Sequence, residues 1–501
     1  MRAGAFASPT TASASRPRIA SASSSSSPAC RRPRPGPAPA WRSAAGSSSA
    51  TAATSASRTV SLPAACFGSP CPSGIPQGRD RTTCPVTATT TRDRSLTGAE
   101  RRRLALLGLP TFGLALAITV VSTYVPTVAR QFTTSTTTIG VVIGAEGIGA
   151  LLLPVPIGAW SDRLQTRWGG RLPFVVAGTP VAVLALLGMG LVGSMPVLAL
   201  AVAVFFAGYF VAYEPYRAFY PDLVGDEVAG RAQSTQAVWR GIGTGLALLG
   251  GGLLLSIGQA APFVVAAVVV GGSIGLFAVL VVREGVPEQD TASKGARESV
   301  GEMLELLRSD PPLRAFFAAN ALLELSLGAV KTFVILWLVR GLGVKLGAAS
   351  VIVGVAALPI LAGAAVAGKL GDEHGRRRVM AVAAVLFGAP MVVPLLSTSP
   401  ALIIAVGPLI AIGGGVMMSL PYALLQPLMP EERHGALTGY YSASRGVGVM
   451  LGPLLAGVAI GACSGPLSST EGYAAMWGVA GAAALASVPL ILRVRREDPR
   501  S

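Results

Sequence analysis

Charge is scarce in this chain of 501 residues: Asp, Glu, Lys and Arg make up 13% of it, against ~25% in a typical water-soluble domain. Hydrophobic residues make up 51%, and the mean hydropathy is +0.59. That balance excludes an ordinary soluble enzyme and a disordered scaffold, and it reads as a membrane protein with many spans. Aromatic residues are also few, 6%, whereas glycine numbers 61. Small residues let membrane helices approach closely, so the composition favours a packed helical bundle over a β-barrel. Histidine occurs only twice, at His374 and His434, both in stretches read as loops. Cys30, Cys66, Cys71 and Cys84 lie near the N-terminus and Cys463 stands alone. A metal centre inside the membrane is therefore excluded, and neither zinc-like spacing nor a disulfide framework is present. Nucleotide motifs and nucleophile–base pairs are missing too, so neither an enzyme nor a cofactor is expected.

The net charge of +16 could suggest nucleic-acid binding, but its distribution opposes that. Residues 1–100 hold twelve Arg against Asp80, Asp93 and Glu100, a net of +9. The remaining +7 lies mostly in short runs beside apolar segments, as topology signals do. Residues 1–95 are rich in Ser, Ala, Thr, Pro and Arg without apolar periodicity, the composition of a disordered segment. Three readings of it stay open: a start placed upstream of the true one, a cytoplasmic tail, or an organellar transit peptide.

From residue 104 onward, apolar runs of about 20 residues recur, each long enough for a ~30 Å hydrocarbon core. They fall near 104–128, 139–160, 173–193, 196–220, 232–256 and 262–283 (spans 1 to 6). After a polar stretch, spans 7 to 12 fall near 314–340, 348–370, 379–396, 401–425, 436–461 and 472–492. One side collects 21 basic residues, in clusters such as Arg101 to Arg103, Arg163, Arg167 and Arg171, and Arg376 to Arg378. The other has three, Arg130, Arg340 and Lys345. The positive-inside rule then puts both termini and the 284–312 loop in the cytoplasm of a multi-pass cell-membrane protein.

The two sets of six repeat each other. Asp162 matches Asp372, Pro215-Tyr216 matches Pro421-Tyr422, and Arg240-Gly241-Ile242-Gly243 matches Arg445-Gly446-Val447-Gly448, at offsets between 205 and 210 residues. Six plus six helices in parallel repeats resemble the major facilitator plan. The expected fold is thus all-α: twelve transmembrane helices in two pseudo-symmetric six-helix bundles, 96–283 and 313–493. A linker at 284–312 joins them, with a tail at 494–501 and the disordered 1–95 in front. The loop G-K-L-G-D-E-H-G-R-R-R at 368–378 is similar to that superfamily's loop signature, with Asp372, Gly375, Arg376 and Arg377 in the signature positions. Its counterpart, G-A-W-S-D-R-L-Q-T-R-W-G-G-R-L-P at 158–173, carries Asp162, Arg163, Arg167, Gly169 and Arg171. With P-Y-R-A-F-Y-P-D-L at 215–223, it resembles the sucrose–proton and glycoside–pentoside–hexuronide cation symporters. That resemblance implies a functional role for Arg217. Where melibiose-type relatives carry two cation-binding Asp, this chain has Leu151 and Val155.

Seven ionisable residues remain inside spans: Glu146, Glu214, Arg217, Arg240, Glu324, Lys331 and Arg445. Each costs at least ~2.5–3.5 kcal/mol if exposed at mid-bilayer, so each is expected to pair or to face a cavity. Glu214 and Arg217 are i, i+3 neighbours, set either in a gate network with Asp162 or on the solute path. Arg240 and Arg445, equivalent in the repeats, are expected to share a structural duty, binding span-end carbonyls or acids, or else to contact solute. Lys331 and Glu324 share a helix face but stand ~10 Å apart along the axis, too far to pair. Each needs a partner on another helix, and Glu146, Glu214 or a bound solute would serve Lys331. Glu146 is either a proton carrier or the buried partner of a cation.

The implied function is secondary transport of a small solute by alternating access, coupled to a proton, with a sugar or glycoside as cargo. The alternatives are a proton-driven exporter of drugs or metabolites and a transporter-like membrane sensor. Expected partners are the solute, the proton and the lipid bilayer, with no nucleic acid and a monomeric state. Reporter fusions after Arg130, Lys345 and Ser468 are expected to read outside and one at Lys294 inside; an outside signal at Lys294 would overturn the topology.

Overall fold

The computed structural model describes residues 97–224, 229–284, 301, 305, 307–428 and 434–494, all within one compact unit, Thr91–Ser501. The segment 1–95, most of the 284–312 linker, and Lys294, Arg297, Arg433, Arg495, Arg496 and Arg500 lie outside the described residues.

Among the described residues, eleven helices are long and apolar enough to cross a membrane, and a bent pair, taken as one span, makes a twelfth. Span 1 is Gly98–Ala129 and span 2 is Thr136–Leu152 followed by Pro154–Arg163. Spans 3 to 6 are Leu172–Leu191, Met195–Val224, Ala229–Ile257 and Ala261–Glu284. Span 7 is Pro311–Leu336, continued by a π-turn at Trp337–Gly341; span 8 is Leu346–His374, and span 9 covers Arg376–Leu396. Spans 10 to 12 are Pro400–Leu425, His434–Ala462 and Ala475–Arg493. Twelve passes return Arg493 to the side of Gly98, the terminal side; the other is the far side.

Local chemistry sets several helix starts. Thr97 and Glu100 form a reciprocal capping box, the Thr97 N–H donating to the Glu100 carboxylate at 2.8 Å; this starts span 1 six residues before its apolar run. Asp310 accepts from the Leu313 N–H at 3.1 Å and Pro311 opens the first turn of span 7, a proline position that loses no helical hydrogen bond. Span 2, read in the sequence as a single run near 139–160, is broken into two helices. It bends by 43° at Leu153, where Pro154 and Pro156 each remove an N–H donor from the ladder. Outward-facing Leu184, Leu191, Ile257, Leu396 and Ile404 are highly exposed, as lipid-facing residues are.

The first six spans meet the last six along two seams related by the repeat. Span 2 packs on span 11, and span 5 on span 8. In the first seam Gly140, Gly144 and Gly147 lie on one face of span 2, against Pro453, Met450 and Gly446 of span 11. A Cβ on Gly147 would collide with the Met450 backbone nitrogen. Thr136 closes this seam's far end, its hydroxyl donating to the Gly457 carbonyl at 2.7 Å. In the second seam the Gly252 N–H donates to Ser350 Oγ at 2.8 Å, and the Tyr124 hydroxyl bonds the same oxygen.

Gly147→Val is expected to disfavour this packing by about 1–3 kcal/mol, the usual cost of overfilling a tight contact. With native cysteines replaced by serine, a cysteine pair at 137 and 461 should then cross-link several-fold more slowly than with Gly147 intact. An unchanged rate would show that the seam tolerates the added bulk.

Candidate functional site

Between the seams, at mid-span, the structure gathers the intramembrane charges. Lys331 of span 7 reaches across to Glu146 of span 2, its ammonium donating to Oε1 at 3.3 Å and to Oε2 at 3.2 Å. Ser122 of span 1 donates a third hydrogen bond, 2.7 Å, to Oε2. Glu146 is buried, whereas the Lys331 side chain keeps 35% of its surface exposed. A carboxylate removed from water needs such donors, and spans 1 and 7 supply them.

Glu324, two turns along the same face of span 7, pairs with Arg445 of span 11 at 3.6 Å. Lys331 and Glu324 thus each find a partner on a different helix. Glu214 and Arg217 of span 4 stand 4.0 Å apart, the outer limit of an ion pair. Arg240 of span 5 departs from expectation. Instead of a carbonyl or an acid it donates to the Tyr213 phenol at 2.9 Å, so the equivalent Arg240 and Arg445 do different jobs. The reason lies in the neighbours: span 7 offers Glu324 to Arg445, while span 4 offers a phenol to Arg240.

Aromatic rings line the same region. Tyr209 and Tyr213 stack with centroids 5.3 Å apart, and Tyr422 of span 10 meets Tyr441 of span 11 edge-on at 5.5 Å. Tyr441 lies within electrostatic reach of Glu324, Arg445, Arg217 and Arg240, and Tyr209 within reach of Arg240, Arg445 and Glu146. The seven ionisable residues therefore form one cluster spanning both sets of six. Sequence reasoning missed Ser122 and the four tyrosines. A signal existed for two of them: Tyr209, Tyr213 and Arg217 recur at intervals of four along span 4, hence on one face.

The loop motifs stand apart from this cluster. Asp162 bonds Arg171 at 2.9 Å, so it clasps the start of span 3 rather than joining Glu214 and Arg217 in a gate network. Arg167 lies over the Trp168 ring at 4.6 Å, Arg163 ends the second segment of span 2, and Gly169 turns the loop with φ +73°. Asp372 bonds Arg376 at 3.1 Å, while Arg376 also donates to the Ala423 carbonyl at 2.9 Å and Arg377 to the Leu492 carbonyl at 3.3 Å. Gly375 makes the tight turn between spans 8 and 9 with φ +87°, a conformation open chiefly to glycine. On the far side, Arg340 bonds Glu471 at 3.1 Å and Arg130 approaches the same carboxylate at 3.9 Å.

The Major Facilitator Superfamily profile matches residues 107–333 and again 316–501. The chain belongs to the Major Facilitator Superfamily. The family points to a transporter rather than an enzyme. Among solved structures the chain is similar to a bacterial homologue of the human lysosomal transporter Spinster, in an inward-facing, occupied conformation. That likeness has 16% identity and TM-score 0.65, over 81% of this chain and all of the other. It is also similar to the nucleoside transporter NupG, at 14% identity and TM-score 0.63 over 79% of this chain and all of that one. At such identities the likeness is one of fold. Among curated proteins, 27% identity over 99 residues links it to multidrug resistance protein 3 of Bacillus subtilis, covering 20% of this chain and 19% of the relative. A stretch of 97 residues is 32% identical to a probable actinorhodin transporter of Streptomyces coelicolor, covering 19% and 17%. The chain thus aligns with about a fifth of the length of each curated relative.

For this superfamily member, Lys331→Ala leaves the buried Glu146 carboxylate without its cation. Losing one partner of a fully buried pair costs ~3–5 kcal/mol; the partial exposure of Lys331 reduces this to about 1–3 kcal/mol. Adding Glu146→Gln should restore most of it, as thermal unfolding of the purified protein would read. Equal melting of Lys331→Ala and its parent would mean that the pair adds nothing to stability.

Proposed function

We propose that the chain moves a small polar solute by alternating access, coupled to a proton, with Glu146 and Lys331 as the coupling pair. The carrying observation is that this ion pair bridges the first six spans to the last six at mid-membrane. A proton on Glu146 cancels the carboxylate charge that holds Lys331, so protonation and the contact between the two sets of spans act on each other. Leu151, in one place where melibiose-type relatives carry an acid, packs its backbone against Gly446; that supports a proton over sodium.

The seams support a state closed on the far side. Thr136 with Gly457, Ser350 with Tyr124 and Gly252, and Arg130 with Glu471 all join the two sets there. Toward the terminal side, the described ion pairs of Asp162 and Asp372 stay within one set each. With the basic clusters on the cytoplasmic face, this is an inward-facing arrangement with both ends in the cytoplasm. The motifs at 158–173 and 215–223 support a glycoside-like cargo, and tyrosine rings suit the apolar faces of a sugar. The second reading is a proton-driven exporter, which the short stretches shared with a multidrug resistance protein and an actinorhodin transporter favour.

Vesicles of known orientation with an imposed pH gradient and a panel of labelled glycosides separate the two. Proton-driven accumulation on the terminal side is expected, and Lys331→Gln should abolish it while solute exchange persists. Movement toward the far side would favour export. Full accumulation in Lys331→Gln would remove Lys331 from the coupling.

A further inference from the structure

The charges at the site do not balance. Among the described residues of the cluster, Glu146, Glu214 and Glu324 are the acids, and Arg217, Arg240, Lys331 and Arg445 are the cations. Lys331 is answered by Glu146, Arg445 by Glu324, and Arg217 by Glu214. Arg240 has a neutral phenol as its partner, 2.9 Å away, and its residue surface is exposed. Its guanidinium is held on the cluster side by the buried Tyr213, to which it donates. An uncompensated guanidinium at this depth is costly and cannot shed its charge by losing a proton.

We propose that the transported solute is a small monoanion, its acid group bound by the Arg240 guanidinium beside Tyr213 and its ring laid against Tyr422 and Tyr441 of spans 10 and 11. This rests on the transport reading above and narrows its cargo. A carboxylate or a singly charged phosphate ester fits the guanidinium's planar fork with two parallel hydrogen bonds. The Tyr213 hydroxyl, already accepting from Arg240, has its own proton left to donate to the same acid group. Tyr422, which is exposed, and Tyr441, half-buried and edge-on to it, offer ring surface to the rest of the molecule, while Tyr209 and Tyr213 are stacked and buried behind the guanidinium. A cation is disfavoured, since all four basic residues of the cluster would repel it.

Binding to the purified full chain, read by tyrosine and tryptophan fluorescence without any gradient, tests this apart from transport. Two matched pairs of probes differ only in charge: 4-hydroxybenzoate against 4-hydroxybenzamide, and 4-nitrophenyl glucuronide against 4-nitrophenyl glucoside. At least one anion is expected to bind about tenfold or more tightly than its neutral partner. Arg240→Gln, which keeps a donor for Tyr213, should bring that ratio near one. Arg240→Lys, which keeps the charge but not the fork, and Tyr213→Phe should each lower it by less than Arg240→Gln does, and monodisperse elution of every variant reports folding. If Arg240→Gln does not fold, Arg240→Lys carries the test: a preference undiminished by loss of the planar fork would overturn the proposal. Equal or tighter binding of both neutral partners would overturn it, as would failure of both anions to bind or an anion preference that survives Arg240→Gln. Loss of proton-driven flux in vesicles with the anion preference intact would count against the transport reading alone.

Discussion

A charge inside a bilayer must be answered by another charge or by water, because hydrocarbon offers neither. In this chain that demand falls on seven side chains, and all seven turn inward to one mid-span cluster. The helices could not rotate freely about their axes without exposing one of them to lipid. Lys331 fixes the face of span 7 toward span 2, and Glu146 fixes the face of span 2 in return. The lipid-facing surface is left to residues such as Leu184 and Ile404.

Around this polar centre the two sets of spans touch through unlike contacts. Toward the far side the seams are tight: glycines of span 2 let backbone approach backbone, and Thr136 and Ser350 pin the ends with single hydrogen bonds. Such contacts are many, short-ranged and individually weak, so they can form or part together. On the terminal side the motif acids clasp neighbouring elements of their own set, Asp162 to Arg171 and Asp372 to Arg376. Each set is thereby stiffened as a body, which suits rocking of one against the other.

Membership of the superfamily fixes the scaffold and leaves the cargo to the site, since one fold serves many solutes. Solved structures at 14% to 16% identity share the fold, but the chemistry that selects a solute rests on a handful of side chains. In the reading proposed above, those are the Arg240 guanidinium, Tyr213, Tyr422 and Tyr441, a combination suited to polar, ring-bearing molecules rather than greasy ones.

Much of the architecture was legible in the sequence, because a bilayer reduces the problem to counting. A run of about 20 apolar residues admits hardly any conformation but a spanning helix, since every backbone N–H and C=O must be satisfied within the segment. The seven intramembrane charges were legible for the same reason, and so were the paired Asp162 and Asp372, repeated at a fixed offset. What the linear chain did not determine was pairing. Glu146 and Lys331 are 185 residues apart, and nothing local distinguishes Glu146 from Glu214 as the partner. Arg240 and Arg445 look equivalent in the repeat, yet one meets a phenol and the other a carboxylate. Those choices depend on which helix faces which across the seams, and only the packing of twelve helices at once decides that.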